Sequence, residues 1–346
     1  MQKKRCQIME RGSGWNLEKL VAGLSMENSA RCLSRDEKST GLNSWMRNTN
    51  LKRKGEKIMT KIFNMLVQTL KDNLSEEFTV TSAIVRKNNN TKHYSISIRK
   101  DEEPTVPTLY VDDILEDIGD SKISIWDGIK KILVRYNDAR KLTPKFADLK
   151  ILSDKSYILK HVYYQLINAT ANKELLSTVP HKKFLDLAVI FRVTVDEAQD
   201  TSYTYILKEE MTKLAGLTFE ELDAAAAKNT KARGFLHIPL SEIVHIYMPG
   251  KNQPYVLTNP EKTYGANILL FPEELAKTAY VFEEDFYLIP SSIHELMAHP
   301  VSSIEKEYLL ETLRSANADP TVVKKEEVLG YRIYRYNRKT GTVTFA

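Results

Sequence analysis

The sequence predicts an α+β protein with a largely antiparallel sheet, packed helices, and hairpins near both ends of its main domain. Two alternating patterns predict the hairpins. Residues 78–99 alternate apolar and polar side chains around the polar turn 87–92, and residues 331–345 do so around Gly341. Between them, segments rich in β-branched and aromatic residues alternate with helical patterns, without a repeating unit. Both element types are therefore expected throughout the domain.

The first elements follow from apolar spacing and from one capping position. Apolar residues at helical spacing predict a helix over 59–74, before the first hairpin. After an extended segment at 108–111, Asp112 is placed to cap a short helix. A further helix over 124–140 is expected to bury the face formed by Trp126, Ile129, Ile132 and Leu133.

The rest of the domain is predicted as short strands and helices. Thr218, with Glu221 three residues later, matches a capping box and predicts a helix through Ala227. A loop or hairpin is expected at 231–265. Composition and periodicity predict strands at 157–164, 185–193, 201–207, 268–271 and 285–290, and helices at 208–213, 272–279 and 304–315.

Length and composition are those of an ordinary globular protein. The chain has 346 residues, 50 Lys and Arg, 45 Asp and Glu, and 42% hydrophobic residues. It contains no apolar run near the roughly 20 residues that a membrane-spanning helix needs. Because no secretion signal is visible either, we predict a cytoplasmic protein with no membrane partner.

The basic excess is confined to residues 1–58. They contain 13 Lys and Arg against 6 Asp and Glu, whereas residues 59–346 contain 37 against 39. Both cysteines, Cys6 and Cys32, also precede residue 59, so the main domain has neither a disulfide nor a thiolate metal site. A near-neutral main domain argues against a broad binding surface for nucleic acid.

Residues 1–58 are predicted to be a basic, disordered extension, because no apolar period is sustained in them. Gly55-Glu56 can be encoded with a ribosome-binding purine core two codons before a Met, so our hypothesis is that Met59 is the natural start. The alternative is a flexible basic arm that binds nucleic acid or a membrane. Residues 59–346 form the α+β region, which is expected to divide into two subdomains near 141–156.

A nucleophile with its base can be imagined in the stretch that follows Pro290. It places hydroxyls, an imidazole and a carboxylate within five residues, and the candidate catalytic residues are Ser291, Ser292, His294 and Glu295. The alternative, which we favour, is a turn whose serines satisfy backbone groups and whose histidine is structural. His299 lies five residues after His294, whereas the zinc-protease helix motif needs a spacing of four.

An acidic run gives a weak candidate for a cation site. Tyr110-Val111-Asp112-Asp113 matches four letters of the metal-binding turn of reverse transcriptases. Asp112, Asp113 and Glu116 are therefore weak candidate ligands of a hard cation. We favour the alternative that they form the acidic first turn of a helix. No dinucleotide or P-loop phosphate motif occurs, so no cofactor is predicted.

The C-terminal segment is the best candidate for contact with single-stranded nucleic acid. It interleaves aromatic and basic residues, which can stack on bases and neutralise phosphates: Tyr331, Arg332, Tyr334, Arg335, Tyr336, Arg338 and Lys339. The alternative is a surface strand whose tyrosines pack across the sheet while its arginines are solvated.

Four segments together resemble a known family. They include Ile268-Leu-Leu-Phe-Pro-Glu-Glu-Leu and Asp285-Phe-Tyr-Leu-Ile-Pro-Ser-Ser-Ile-His-Glu; the others are Tyr205-Ile-Leu-Lys-Glu-Glu-Met with the Thr218 capping box, and residues 327–341. Over about 59–346 the chain resembles the bacterial family called domain of unknown function 5688. The resemblance implies an intracellular bacterial protein, often in genomes rich in mobile elements. It implies no reaction, cofactor or catalytic residue, although Pro-Ser-Ser-Ile-His-Glu is typical of the family.

We therefore predict a non-enzymatic binding or accessory protein, associated with mobile elements, whose partner is a protein or single-stranded nucleic acid. The alternative is a hydrolase or metal-dependent enzyme that uses Ser291 to Glu295, with Asp112 or Asp113 if the fold brings them together. The environment of His294 distinguishes the two: a catalytic histidine lies in a cleft beside a carboxylate or hydroxyl, whereas a structural one is buried and bonded to backbone.

Overall fold

The computed structural model describes residues 41–100, 106–142, 152–198, 201–245 and 253–346. Most of the predicted disordered extension at 1–58, and much of the subdomain border predicted at 141–156, lie outside these residues. The described residues form two compact units. Unit 1 contains residues 88–90 and those from 152 onward, and unit 2 contains the other described residues before 143.

In its described residues, unit 2 combines a small antiparallel sheet with helices. The sheet has the order β1 (Phe78–Arg86), β2 (Lys92–Lys100), β3 (Leu109–Tyr110). The helices are α1 (Gly41–Asn73), α2 (Asp112–Gly119) and α3 (Ile125–Leu142). Sheet and helices share a core that includes Leu66, Leu70, Ile96, Ile98, Ile114 and Ile132, all fully buried.

Three details of unit 2 differ from the sequence prediction. Helix α1 begins at Gly41 instead of Met59, and residues 51–58 are rich in Lys, Arg and Glu, which favour helix. Val111 takes the N-cap position of α2, because the Asp112 carboxylate instead accepts a hydrogen bond from the Tyr94 N–H (3.1 Å). Trp126 is 54% exposed, since it lies in the first turn of α3, at the end of the buried stripe.

Unit 1 contains two antiparallel sheets and several short helices. The first sheet contains β4 (Val162–Asn168), β5 (His181–Phe184), β6 (Leu187–Ala198) and β7 (Thr201–Ile206). The second contains β8 (Leu236–Pro239), β9 (Tyr255–Thr258), β10 (Phe286–Ile289), β11 (Leu296–Pro300), β12 (Tyr334–Asn337) and β13 (Thr342–Phe345). The helices are α4 (Lys155–His161), α5 (Lys173–Leu176), α6 (Glu209–Leu214), α7 (Phe219–Ala232), α8 (Leu240–Val244), α9 (Pro272–Phe282) and α10 (Lys306–Ala318).

The strand order of the two sheets defines the topology of unit 1. The long strand β6 pairs with β4 on one side and with β5 and β7 on the other. The second sheet has the order β13-β12-β10-β11-β9-β8. Phe191 of the first sheet and Phe286 and Leu288 of the second belong to one buried core. The predicted α+β class, with antiparallel pairing and hairpins near both ends of the main domain, is confirmed.

The strand predicted at 157–164 is correct only over 162–164, which belong to β4, and the strand predicted at 268–271 is wrong. Residues 155–161 form α4, because the Asp154 carboxylate caps the helix by accepting the Tyr157 N–H (2.7 Å). Residues 265–270 form a 3-10 helix instead of the strand predicted at 268–271. The capping box of Thr218 and Glu221 is confirmed, with both reciprocal hydrogen bonds formed. None of the described helices has the length and apolarity needed to cross a bilayer.

Candidate functional site

The stretch from Ser291 to Glu295 forms a buried turn between β10 and β11. Ser291, Ser292, His294 and Glu295 are each at most 7% exposed. The Ser292 hydroxyl accepts the His294 N–H (3.0 Å) and donates to the Glu295 carboxylate (3.4 Å). Ser291 is bonded back to the Ile289 carbonyl oxygen by its N–H. The serines therefore satisfy groups of their own turn, as in the alternative favoured from sequence.

His294 is placed to accept a hydrogen bond and not to abstract a proton. Its Nδ1 accepts the backbone N–H of Tyr264 (3.2 Å), so the neutral ring has its proton on Nε2. Burial, helped by the nearby positive charge of Lys324, lowers the pKa of His294 to about 4. At neutral pH the imidazole has one nitrogen occupied and the other protonated. This imidazole therefore does not act as a general base for Ser291 or Ser292.

The segment that precedes the 3-10 helix is fixed against this turn. Tyr264 adopts a left-handed backbone conformation (φ 58°, ψ 27°), which is unfavourable for a residue with a side chain. The next residue is Gly265, where a Cβ would lie 2.4 Å from Thr258 Oγ1 and 2.6 Å from the His294 carbonyl oxygen. The Tyr264 ring stacks on the His294 imidazole, with centroids 5.5 Å apart. Close packing therefore determines where the Tyr264 ring lies.

Two arginines lie against tyrosines on the side of the first sheet that faces Tyr264. We name Tyr163, Arg192, Arg233 and Tyr264 the arginine–tyrosine cluster. The Arg192 Cζ is 5.0 Å from the centre of the Tyr264 ring, and the Arg233 Cζ is 3.9 Å from that of Tyr163. The two tyrosine rings are 6.2 Å apart. Burial is the main reason why the pKa of Tyr264 is raised, so its phenol stays protonated at neutral pH.

A second imidazole lies between a hydroxyl and a carboxylate. His237 Nδ1 is 2.8 Å from Thr278 Oγ1, and its Nε2 is 3.8 Å from Glu274 Oε2. This set resembles a nucleophile, base and carboxylate, but Thr278 is only 1% exposed. A substrate cannot approach that hydroxyl in this conformation. The set ties β8 to α9 and offers no reaction centre.

His299, which the sequence placed outside a zinc motif, lies on β11. Its Nδ1 is 3.2 Å from Ser303 Oγ, and that hydroxyl donates to the Pro300 carbonyl oxygen (2.8 Å). The ring therefore donates to Ser303 through Nδ1. Burial lowers the pKa of His299 to about 4, so it is neutral at physiological pH.

The acidic candidates for a cation site belong to unit 2. Arg135 binds both oxygens of Asp113 and thereby lowers the pKa of that carboxyl. Asp112 contacts His93 (3.3 Å) and the Tyr94 N–H, while Glu116 is exposed on α2. Among the described residues no three His, Cys, Asp or Glu side chains form a group that could hold a metal ion. Asp112 and Asp113 thus have different partners, and the Glu116 side chain is exposed.

The C-terminal segment divides into a buried and an exposed set. Tyr334 and Tyr336 lie in the core of unit 1, so they cannot stack on bases in this conformation. Arg335 projects outward and pairs with Asp285 (2.7 Å). The remaining candidates are exposed: Tyr331, Arg332, Arg338 and Lys339. Strand alternation accounts for the division, since every second residue of β12 faces the core.

A shallow depression of about 590 Å³ lies beside this segment. It is lined by Glu283, Glu284, Asp285, Val301, Arg335, Arg338 and Lys339. The Arg338 N–H donates to Asp285 (2.8 Å), and its guanidinium binds the Glu283 carbonyl oxygen. Charges of both signs therefore face the same surface.

Residues 59–338 match the model of the family of unknown function DUF5688. The chain belongs to this family. No curated protein and no solved structure matches it. The match includes the turn from Ser291 to Glu295 and the arginine–tyrosine cluster, and it ends just inside the C-terminal segment. Family membership supplies neither a reaction nor a partner, so the function has to be inferred from the geometry.

Arg192 and Tyr264 were not among the residues that the sequence singled out. Arg192 is the only charged residue in the run Leu187-Ala-Val-Ile-Phe-Arg-Val, which is a signal that the sequence does contain. A charge in an otherwise apolar central strand needs a partner, and the sequence gives no indication of which one. Tyr264 had no signal beyond its position before a glycine.

Proposed function

We propose that the protein is a non-enzymatic binding protein whose C-terminal face contacts a protein partner. We define the C-terminal face as Tyr331, Arg332, Phe345, Arg338 and Lys339. The observation that carries the proposal is the exposure of two aromatic residues, one of which packs against a guanidinium. Tyr331 is 54% and Phe345 42% exposed, and the Arg332 Cζ is 4.8 Å from the centre of the Phe345 ring. Exposed aromatic residues beside arginine are typical of protein interfaces.

The charges near this face favour a protein over single-stranded nucleic acid. Glu283, Glu284 and Asp285 line the depression that also contains Arg338 and Lys339. Carboxylates at this position repel phosphates, whereas a protein surface with charges of both signs can complement them. With Tyr334 and Tyr336 in the core, fewer rings are exposed for stacking than the sequence suggested.

The state of His294 argues against the hydrolase alternative. Its Nδ1 is occupied by a backbone N–H and its pKa is lowered to about 4, so it is a structural acceptor. Our proposal also includes the setting that the family resemblance implies, an accessory role in the cytoplasm of bacteria whose genomes are rich in mobile elements.

Site-specific photo-crosslinking in cells tests the proposal. A photoreactive phenylalanine analogue at Tyr331 or Phe345 is expected to capture one defined protein, and Arg332→Glu is expected to reduce that capture. The matched control is the same analogue at Tyr308, which lies on α10 and is 40% exposed. Equal capture from Tyr308, or none from the C-terminal face, would contradict the proposal.

Fluorescence anisotropy with a labelled single-stranded oligonucleotide tests the other partner class. No binding beyond a weak, salt-sensitive association is expected. Tight binding that is lost in Arg338→Glu and Lys339→Glu, and weakened in Tyr331→Ala by the loss of a stacking ring, would replace the protein partner with a nucleic acid.

A further inference from the structure

Arg192 lies within unit 1 without a negatively charged partner. It is half-buried on the central strand β6, and its guanidinium donates to the Gln165 side-chain oxygen (3.0 Å) and to the Thr204 hydroxyl (2.7 and 3.2 Å). Both acceptors are neutral, and Arg192 forms no ion pair with any described carboxylate. A partly desolvated charge with only neutral partners is costly, and an anion that binds there recovers much of that cost.

The hydrogen-bond inventory leaves donors for such an anion. A guanidinium has five N–H groups, one on Nε and two on each Nη nitrogen. Arg192 uses its Nε–H, one hydrogen of Nη1 and one of Nη2 in the bonds to Gln165 and Thr204. One N–H on each Nη nitrogen remains. Two N–H groups on one planar guanidinium suit the two oxygens of a carboxylate or phosphate.

The neighbours of Arg192 add to this arrangement. The Tyr264 hydroxyl makes no hydrogen bond to another residue that the structure describes, and a neutral phenol can donate to an anion. Tyr163 lies directly opposite Arg192 in the β4–β6 pairing, with the second guanidinium, that of Arg233, over its ring. Arg233 itself is only weakly paired, with 3.9 Å between its Nε and Glu261. Two guanidiniums therefore lie on this side of the sheet, with the carboxylate of Glu261 beside Arg233 and that of Glu327 near Tyr264.

The buried turn at 291–295 has a role in this arrangement. His294 holds the backbone N–H of Tyr264 and stacks on its ring, and Gly265 allows the chain to pass against Thr258. These contacts hold Tyr264 in its strained conformation beside Arg192. His294 is thus a positioning residue, which explains a polar, buried turn that performs no chemistry of its own.

We propose that the arginine–tyrosine cluster is a binding site for an oxyanion, a carboxylate or phosphate group of a ligand, held by the Arg192 guanidinium and the Tyr264 hydroxyl. The site is independent of the C-terminal face and of the partner proposed for it. Carboxylate and phosphate groups would use the same donors, so the titration below determines which of the two binds.

Titration of the full chain, selectively labelled with ¹⁵N-arginine, tests the site by NMR. Sodium phosphate and sodium acetate are added at constant ionic strength against sodium chloride, and the Nε–H signal of Arg192 is assigned from its loss in Arg192→Lys. A saturable shift of this signal with phosphate or acetate, absent with chloride, is expected. The anion that binds more tightly identifies the ligand class.

Variants separate a built site from general charge screening. Arg192→Lys keeps the charge but loses the planar fork, and binding is expected to weaken about tenfold or more, the effect of one charged hydrogen bond. Tyr264→Phe keeps the ring and should weaken binding less. Arg335→Lys, at the paired strand arginine, is the control and should leave binding unchanged.

Three results would overturn the site. They are a wild-type Arg192 signal that responds to neither anion, a shift that chloride reproduces, and a parallel shift of the Arg335 signal. If Arg192→Lys fails to fold, the first result is read without assignment, as the absence of a saturable shift with phosphate or acetate in any arginine Nε–H signal of the wild type. A negative result here leaves the crosslinking test of the C-terminal face unaffected.

Discussion

Arg192 and Arg335 are two strand arginines of unit 1 whose charges are treated differently. Arg335, on β12, is largely exposed and pairs with Asp285, which also receives the Arg338 N–H. Arg192, on β6, is half-buried and has only neutral acceptors. The positive charge of Arg335 is neutralised by a carboxylate of the protein itself, whereas that of Arg192 has no such partner among the described residues. The Arg335 charge therefore belongs to an ion pair of the fold, and the Arg192 charge is the one that we propose for ligand binding.

The strongest test of the Arg192 region is Gly265→Ala. Its Cβ would meet Thr258 Oγ1 and two backbone atoms, of His294 and Asn259, all within 2.7 Å. Because backbone cannot shift cheaply, we expect a loss of about 3 kcal/mol of unfolding free energy, measured by denaturant titration. The expected NMR change is a displaced Arg192 Nε–H signal with an unchanged Arg335 signal.

Gly234→Ala is the matched control. Gly234 has a positive φ of 78° but no atom within 4 Å of the added Cβ, so only backbone strain of about 1 kcal/mol is expected. If both variants lose the same stability, Gly265 is not the close-packed position that holds Tyr264.

The second test uses pH, which should affect the Arg192 region through His294. The folded pKa of about 4 lies below the roughly 6.5 of an unfolded histidine, so the unfolded chain binds the proton first as the pH falls. Stability should be complete above pH 6.5 and should decline towards pH 4, by about 3 kcal/mol for this residue. Urea titrations across that range measure the decline.

His294→Asn keeps an acceptor for the Tyr264 N–H but cannot titrate, so it should flatten part of this decline. His299, whose pKa is also lowered to about 4, accounts for a similar part that remains. An unchanged slope in His294→Asn would show that His294 is not held neutral by burial.

The smallest effect is expected at Arg192 itself. Arg192→Met leaves the buried Gln165 oxygen without its donor and should cost about 1 to 3 kcal/mol. Changing both residues, as Gln165→Leu with Arg192→Met, should restore stability to within about 1 kcal/mol of the wild type while abolishing anion binding. Arg335→Met should cost less than about 1 kcal/mol, as for an exposed ion pair. Calorimetric melting measures all three, and a double variant as unstable as Arg192→Met would argue that Arg192 is structural.

The parts of the fold that depend on local signals could be predicted from sequence. The capping box at Thr218 and the terminal hairpin around Gly341, whose φ is 67°, need only residues close in the chain. The strand prediction fails over 157–161 because an aromatic, β-branched run fits a strand and a short helix alike. The N-cap hydrogen bond of Asp154 stabilises a helix that ends at His161.

The candidate site could be predicted only in part, because its state depends on distant residues. The turn at 291–295 was expected to be structural, but the acceptor role of His294 follows from the backbone of Tyr264, 30 residues away. Arg192 is a candidate because its acceptors, Gln165 and Thr204, are neutral. Only the folded chain brings these two residues into contact with it. A sequence shows that a strand contains a charge, but not whether that charge is paired.

One buried hydroxyl bears on how this protein is made. Tyr334 of β12 donates to the Asp186 carboxylate (2.7 Å), just before β6, across 148 residues of chain. The first sheet leaves the ribosome long before the strand that completes its core. Synthesis proceeds at roughly 5 to 20 residues per second, so unit 1 exposes apolar surface for on the order of ten seconds before it can close. We expect nascent unit 1 to need protection by chaperones during that interval.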